Sequence, residues 1–158
     1  MMIIFQCYGG THTSVAAASY YLGLLPRHRP PHADELVALP HFDRLGHSKM
    51  GHLHYVGSDL GDNPVFVLGS GRWRRPLQEI IRAYLYRDGR PATAPVALID
   101  CAITLTAATR LGGFLSRRLG WTSLGRPLVC RGIRRAYRSI LAQVEDFEKN
   151  TSKYLIAY

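Results

Sequence analysis

A chain of 158 residues, 47% apolar and 20% charged, has the length and composition of an ordinary globular protein and is expected to form one domain over residues 1–158. No apolar run approaches the roughly 18 residues that span a bilayer, and MMIIFQC lacks the positive start and long apolar stretch of a signal peptide, so the sequence favours the cytoplasm and no membrane partner. The net charge of +9 is uneven: residues 1–79 carry 7 Lys and Arg against 6 Asp and Glu, residues 80–158 carry 13 against 5. Only Lys49, Lys149 and Lys153 are lysines; the other seventeen basic residues are arginines, whose planar fork suits phosphate.

In chain order, Met2 to Cys7 reads as a buried strand and Thr13 to Leu25 as an alanine-rich helix. PRHRPPH, residues 26–32, is a turn segment, because its prolines lack donors and restrict their neighbours. Ala33 to Leu45 reads as a short helix interrupted near Pro40. Residues 52–59 and 63–70 flank Gly61-Asp62 and predict a β-hairpin, which makes Asp59 and Asp62 turn residues. Residues 76–89 have helical apolar spacing with a stop at Gly89. PVALIDC, residues 95–101, is a second strand of the buried type. A helix over 104–120 follows, in which Gly112 and Gly113 imply a kink or close backbone packing. PLVCRG, residues 127–132, reads as a third buried strand, and Ile133 to Lys149 as an amphipathic helix.

Three apolar strands, each followed by a helix, predict an α/β fold: a three-layer sandwich with a mainly parallel sheet and an inserted β-hairpin. Ligands of such sheets bind at the carboxyl ends of the strands. That rule brings Cys7, Asp100, Cys101 and Arg131 to one edge.

The stretch C-Y-G-G-T-H-T-S carries the densest chemistry. A strand, a glycine turn and a helix start together form an anion cradle, since the first helical turn presents unpaired N–H groups and the positive end of the dipole. Gly9 and Gly10 allow close approach, while Thr11, Thr13 and Ser14 supply hydroxyls or caps. A thiol at such a place has its thiolate stabilised, which makes Cys7 the candidate nucleophile. His12 is the candidate proton shuttle, and Asp100, ending a buried strand, the candidate acid. The competing expectation is an inert small hydrophobe followed by a plain turn.

The spacing C-x-x-G-x-x-T-S resembles the phosphocysteine loop of enzyme IIB components of sugar phosphotransferase systems, with Cys7, Gly10, Thr13 and Ser14 at the matching positions. It is similar, more loosely, to the low-molecular-weight protein tyrosine phosphatases, whose C-x-x-x-x-x-R-S loop is matched at Cys7, Gly9 and Ser14. Their arginine is Thr13 here, so the charged fork is missing from the loop itself. Taken together, CYGGTHTSVAAASYYLGLLP, LPHFDRLG and RLGGFLSRRLGWTSLGRPLVCRGIRRAY resemble an uncharacterised bacterial family, found mainly in Firmicutes, known as domain of unknown function 3189. That resemblance runs nearly end to end and implies a small cytoplasmic protein without an assigned activity.

The basic block holds Arg110, Arg117, Arg118, Arg126, Arg131, Arg134, Arg135 and Arg138. Arg131 and Arg134 are placed around a strand end and helix start bordering the loop, and one of them is expected to supply the positive charge the loop lacks. The leading expectation is a protein that binds phosphate or a phosphorylated small molecule, with phosphoryl transfer or hydrolysis through Cys7. Its rival is a non-catalytic basic protein for nucleic acid or an acidic partner. Three scattered cysteines without C-x-x-C, and His41, His47, His52 and His54 at spacings that match no zinc signature, predict no disulfide framework, no metal and no cofactor.

Overall fold

The computed structural model describes residues 1–85 and 95–156. Four strands form one sheet: β1 (Met2–Cys7), β2 (Leu53–Ser58), β3 (Pro64–Gly69) and β4 (Val96–Asp100), in the order β2-β3-β1-β4. β1 pairs in parallel with β3 on one side and β4 on the other, and only β2, at the edge, runs antiparallel. Helices α1 (Thr13–Tyr21), α2 (Ala33–Ala38), α3 (Arg74–Leu85), α4 (Ala107–Gly113) and α5 (Thr122–Lys149) complete the fold.

The alternation of the parallel strands explains the layers. Ile3, Phe5, Val65, Val67, Ala97 and Ile99 point to one face, where they join residues of α1, α2 and α5 in the main core. Ile4, Leu68, Val96 and Leu98 point to the other, where Leu77 and Ile81 of α3 pack on them. Side chains two apart share a face, so each strand feeds both cores and reads as continuously apolar. The expected α/β sandwich with a mainly parallel sheet is what forms.

The hairpin is integral to that sheet. Its second strand is the parallel neighbour of β1, with Ile3 opposite Val65 and Cys7 opposite Gly69. At its turn the Asp59 carboxylate accepts from the N–H groups of Gly61 and Asn63, both at 2.9 Å, and from the Tyr21 hydroxyl at 2.6 Å. These bonds outweigh the cost of partly burying Asp59 and hold its carboxyl below the usual range. Asp62 takes φ +57°. Both aspartates are turn residues, as their setting between two β-rich runs predicts.

PLVCRG is not a strand: residues 127–132 lie inside α5, which is 28 residues long. Leu128-Val129-Cys130 is too short to distinguish a strand from a buried helical segment, and Pro127 suggests a start. Yet Val129, Ile133, Ala136, Ile140, Val144 and Phe147 are all buried along one stripe. That burial carries the helix through Pro127, which costs it one backbone bond near the amino end. A single turn at Cys101–Thr104 precedes the predicted helix over 104–120, which itself divides into α4 and a wider π turn at Phe114–Arg118. The first helix stops at Tyr21, earlier than predicted. The predicted stop at Gly89 lies outside the described residues.

Helices α4 and α5 meet backbone to backbone. A Cβ on Gly112 would fall 2.6 Å from the Gly125 carbonyl oxygen, and one on Gly132 would fall 2.2 Å from Thr109 Oγ1 and 2.7 Å from its backbone nitrogen. The close packing implied by Gly112-Gly113 is therefore real: Gly112 lies against α5 at Gly125 and Val129, and Gly113 against the His12 ring. Gly132→Ala is expected to cost about 1–3 kcal/mol through overpacking, read as a lower urea midpoint with an unchanged slope.

Candidate functional site

The carboxyl ends of β1, β3 and β4 converge at Cys7, Gly69 and Asp100. The chain leaves β1 towards α1 on one face and β3 towards α3 on the other, so the loops part and open a crevice. The crevice is a cavity of about 560 Å³, large enough for a small organic molecule. Its floor is Cys7, Tyr8, Gly9, Thr11 and His12; one wall is the segment after β3, the other α4 with its π turn.

Cys7 is only 3% exposed, yet it lines this cavity. Its sulfur accepts from the Gly10 N–H at 3.2 Å and lies 3.1 Å from Ser14 Oγ in the first turn of α1. Gly10 sits at φ +69°, and a Cβ there would fall 2.4 Å from the Gly69 nitrogen. Only glycine lets the loop lie against β3 in this way. Ser70 completes the junction, its N–H donating to the Cys7 carbonyl at 3.0 Å.

Thr11 and His12 tie the loop to residues 41–45. Thr11 Oγ1 donates to the His41 carbonyl at 2.7 Å and accepts from the Arg44 N–H at 3.2 Å. His12 Nε2 lies 3.1 Å from Asp43 Oδ1. Asp43 is 1% exposed and holds φ +50°. Its carboxylate also accepts from Ser116 Oγ, at 2.8 and 2.7 Å, and from Arg126 Nε at 3.1 Å. Burial alone would raise the Asp43 carboxyl, but hydrogen bonds from His12, Ser116 and Arg126 outweigh it and hold the carboxyl below the usual range. Arg117 Nη1 donates to the Asp43 carbonyl at 2.8 Å. A single buried carboxylate thus joins the α1 start, the 41–45 loop, the π turn and α5.

Five arginines line the cavity: Arg72 and Arg74 after β3, and Arg110, Arg117 and Arg118 from α4 and its π turn. No Asp or Glu lines it among the described residues. Arg74 is paired with Asp100 at 3.0 Å. The guanidinium of Arg118 lies 6.0 Å from the centre of the Phe114 ring.

Of the residues read from the sequence, Cys7, Gly9, Thr11 and His12 line the cavity. Gly10 and Ser14 hold the Cys7 sulfur from behind. The Thr13 hydroxyl is fully buried and has no hydrogen-bond partner among the described residues. Asp100 is outside the lining; besides Arg74 it accepts from the Ala102 N–H at 3.0 Å, capping the turn after β4. Arg131 and Arg134 stand exposed on α5 and do not line the cavity. Their expected position depended on a strand ending at residue 132, and a helix through that point turns them to solvent. Burial, and after it the proximity of Cys7 and Asp100, pushes the Cys101 thiol well above its usual range; burial also raises Cys130.

Asp43 carries no sequence signal, since it lies 31 residues from His12 and no local spacing relates the two. Arg72 and Arg74 carry a signal: they follow residues 63–70, and recognising that run as a parallel strand places them at the ligand edge. His41 and His54 approach with ring centres 5.5 Å apart. Among the described residues, no group of three or more His, Cys, Asp and Glu is placed to hold a metal ion, and no helix is long and apolar enough to cross a membrane.

The fold and site define an α/β protein with a cysteine loop at the carboxyl edge of a mostly parallel sheet. The chain belongs to the family described as protein of unknown function DUF3189, whose model matches residues 2–149. No curated protein and no solved structure matches it.

Proposed function

We propose that the cavity binds a phosphorylated small molecule with its phosphoryl group against the Cys7–Ser14 loop, and that Cys7 accepts that group. The observation that carries this reading is the setting of the Cys7 sulfur. It receives the Gly10 N–H at the head of α1 and faces a cavity with five arginines and no lining carboxylate among the described residues. The start of a helix favours an anion, and arginine binds phosphate oxygens through its fork. In this reading the positive charge absent at Thr13 comes from Arg72 and Arg117, which line the cavity.

In the proposed chemistry the Cys7 thiolate attacks phosphorus. The S–P bond forms as the P–O bond to the leaving group breaks, and the departing oxygen keeps the electron pair. Protonated His12, oriented by Asp43 through Nε2, gives that oxygen a proton. Water then attacks the phosphocysteine, His12 takes the water's proton, and phosphate leaves with the thiolate restored. Asp100, committed to Arg74 and Ala102, is left as a structural cap.

The test is the rate of Cys7 alkylation against pH in the intact protein, followed by peptide mapping, with and without millimolar phosphate. Cys7 is expected to react well before Cys101 and Cys130, and phosphate to slow it at least fivefold. Alkylation indifferent to phosphate overturns the reading.

A second reading draws on α5, where Arg131, Arg134, Arg135 and Arg138 are exposed and the chain from Cys101 to Val144 has no Asp or Glu. Such a face suits nucleic acid or an acidic partner without catalysis. Binding there is expected to fall steeply between 50 and 200 mM salt, whereas phosphate protection of Cys7 in a sheltered cavity is expected to change little.

A further inference from the structure

We infer that the ligand of this cavity is an organic phosphate carrying a second anionic group on an apolar body, the second group being held by Arg110 and Arg118. The inference rests on the phosphate-binding reading above and extends it to the class of ligand.

Charge is the first argument. Of the five lining arginines, only Arg74 has a carboxylate partner among the described residues, Asp100. Arg117 is spent on the backbone carbonyls of Asp43 and Arg44, which orient it without neutralising it. Arg72 lies over Trp73 at 5.6 Å, Arg118 over Phe114, and Arg110 is exposed on α4 without an acidic partner among the described residues. Four positive charges therefore border one cavity with no lining carboxylate among the described residues. A phosphate monoester brings at most about two negative charges at neutral pH, as phosphorylated side chains do. One phosphoryl group leaves the arginine wall undercompensated.

Size and polarity give the second argument. At about 560 Å³ the cavity far exceeds a phosphate ion, and Leu45, Met50, Leu105 and Phe114 supply apolar lining. The phosphoryl site lies on the floor at Cys7, while Arg110 and Arg118 belong to the wall formed by α4 and its π turn. A molecule reaching from one to the other covers the apolar lining between them. Arg118, poised over Phe114, can bind an oxyanion while a flat or branched apolar group lies on the ring.

The experiment is calorimetric titration of the intact wild-type protein with three non-hydrolysable or inert probes: inorganic phosphate, phenylphosphonate and para-phenylenediphosphonate. The two phosphonates share a ring and differ by one anionic group. The diphosphonate is expected to bind about tenfold tighter than phenylphosphonate, the gain of one charge-assisted contact. Arg110→Gln with Arg118→Gln is expected to remove that gain and leave phenylphosphonate binding within about twofold. Arg131→Gln with Arg134→Gln, which alters the same net charge away from the cavity, is expected to preserve it. All side chains involved are exposed, and thermal midpoints near wild type confirm that the variants fold. Equal affinity for the two phosphonates, or a gain lost equally in both double variants, overturns the inference while the phosphate site stands. Failure of both phosphate and phenylphosphonate to bind overturns the site reading itself.

Discussion

Asp43→Asn is expected to destabilise the protein by about 3 kcal/mol and to disorder the approach to Cys7. Removing one partner of a buried ionic cluster costs roughly 3–5 kcal/mol, because the remaining groups keep their desolvation penalty. The lower end applies because the Arg126 side chain is 38% exposed and recovers water, whereas the Asp43 side chain has no exposure. Asparagine tolerates the left-handed backbone at Asp43, so the variant isolates the charge from the strain. It cannot accept at both oxygens, which leaves donors among Ser116, Arg126 and His12 unmatched. Urea unfolding at pH 7 measures the loss; a change below 1 kcal/mol would remove Asp43 as the organiser of the site.

The same residue sets a pH dependence. Its folded carboxyl is depressed, so its contribution is complete above the unfolded value, about 3.9. It disappears as pH falls from there through the lower folded value. Wild-type stability is expected to fall below about pH 4, with a shallower acid limb in Asp43→Asn. Asp59 and Glu35, also depressed in the fold, contribute in the same direction, so the difference between the two curves is the informative quantity.

Gly10→Ala is the second large effect. Its Cβ would lie 2.4, 2.8 and 2.8 Å from backbone atoms of Gly69 and Leu68, none of them the end of a flexible side chain. Either the loop lifts from β3 or the sheet edge moves. The positive φ adds roughly 1 kcal/mol of its own. A total of about 3 kcal/mol or more is expected at the strained end of overpacking. Because the Gly10 N–H donates to the Cys7 sulfur, whatever protein folds is expected to lose phosphate protection of Cys7. Full protection in a variant of wild-type stability would mean that the loop does not need this contact.

What the sequence determined by itself was local. Apolar runs at Met2–Cys7 and Val96–Asp100 identify buried strands because strands covered on both faces need no polar alternation. Gly61-Asp62 identifies the hairpin, and the stripe through Ile133, Ile140, Val144 and Phe147 identifies most of α5. The C-x-x-G-x-x-T-S spacing located the cavity floor, since a strand, a glycine turn and a helix start are contiguous in the chain.

Only the tertiary structure decided the rest. The pairing of β3 with β1 rests on bonds between residues some 60 positions apart, and no local period reports it. Residues 127–132 have an apolar run that fits either state, and burial against α4 selected the helix. That choice turned Arg131 and Arg134 to solvent and left Arg110, Arg117 and Arg118 to line the cavity. Asp43 gains its role from three donors contributed by α1's entry, the π turn and α5. A carboxylate needs that many partners to remain charged when buried, and only the folded chain brings them to one point.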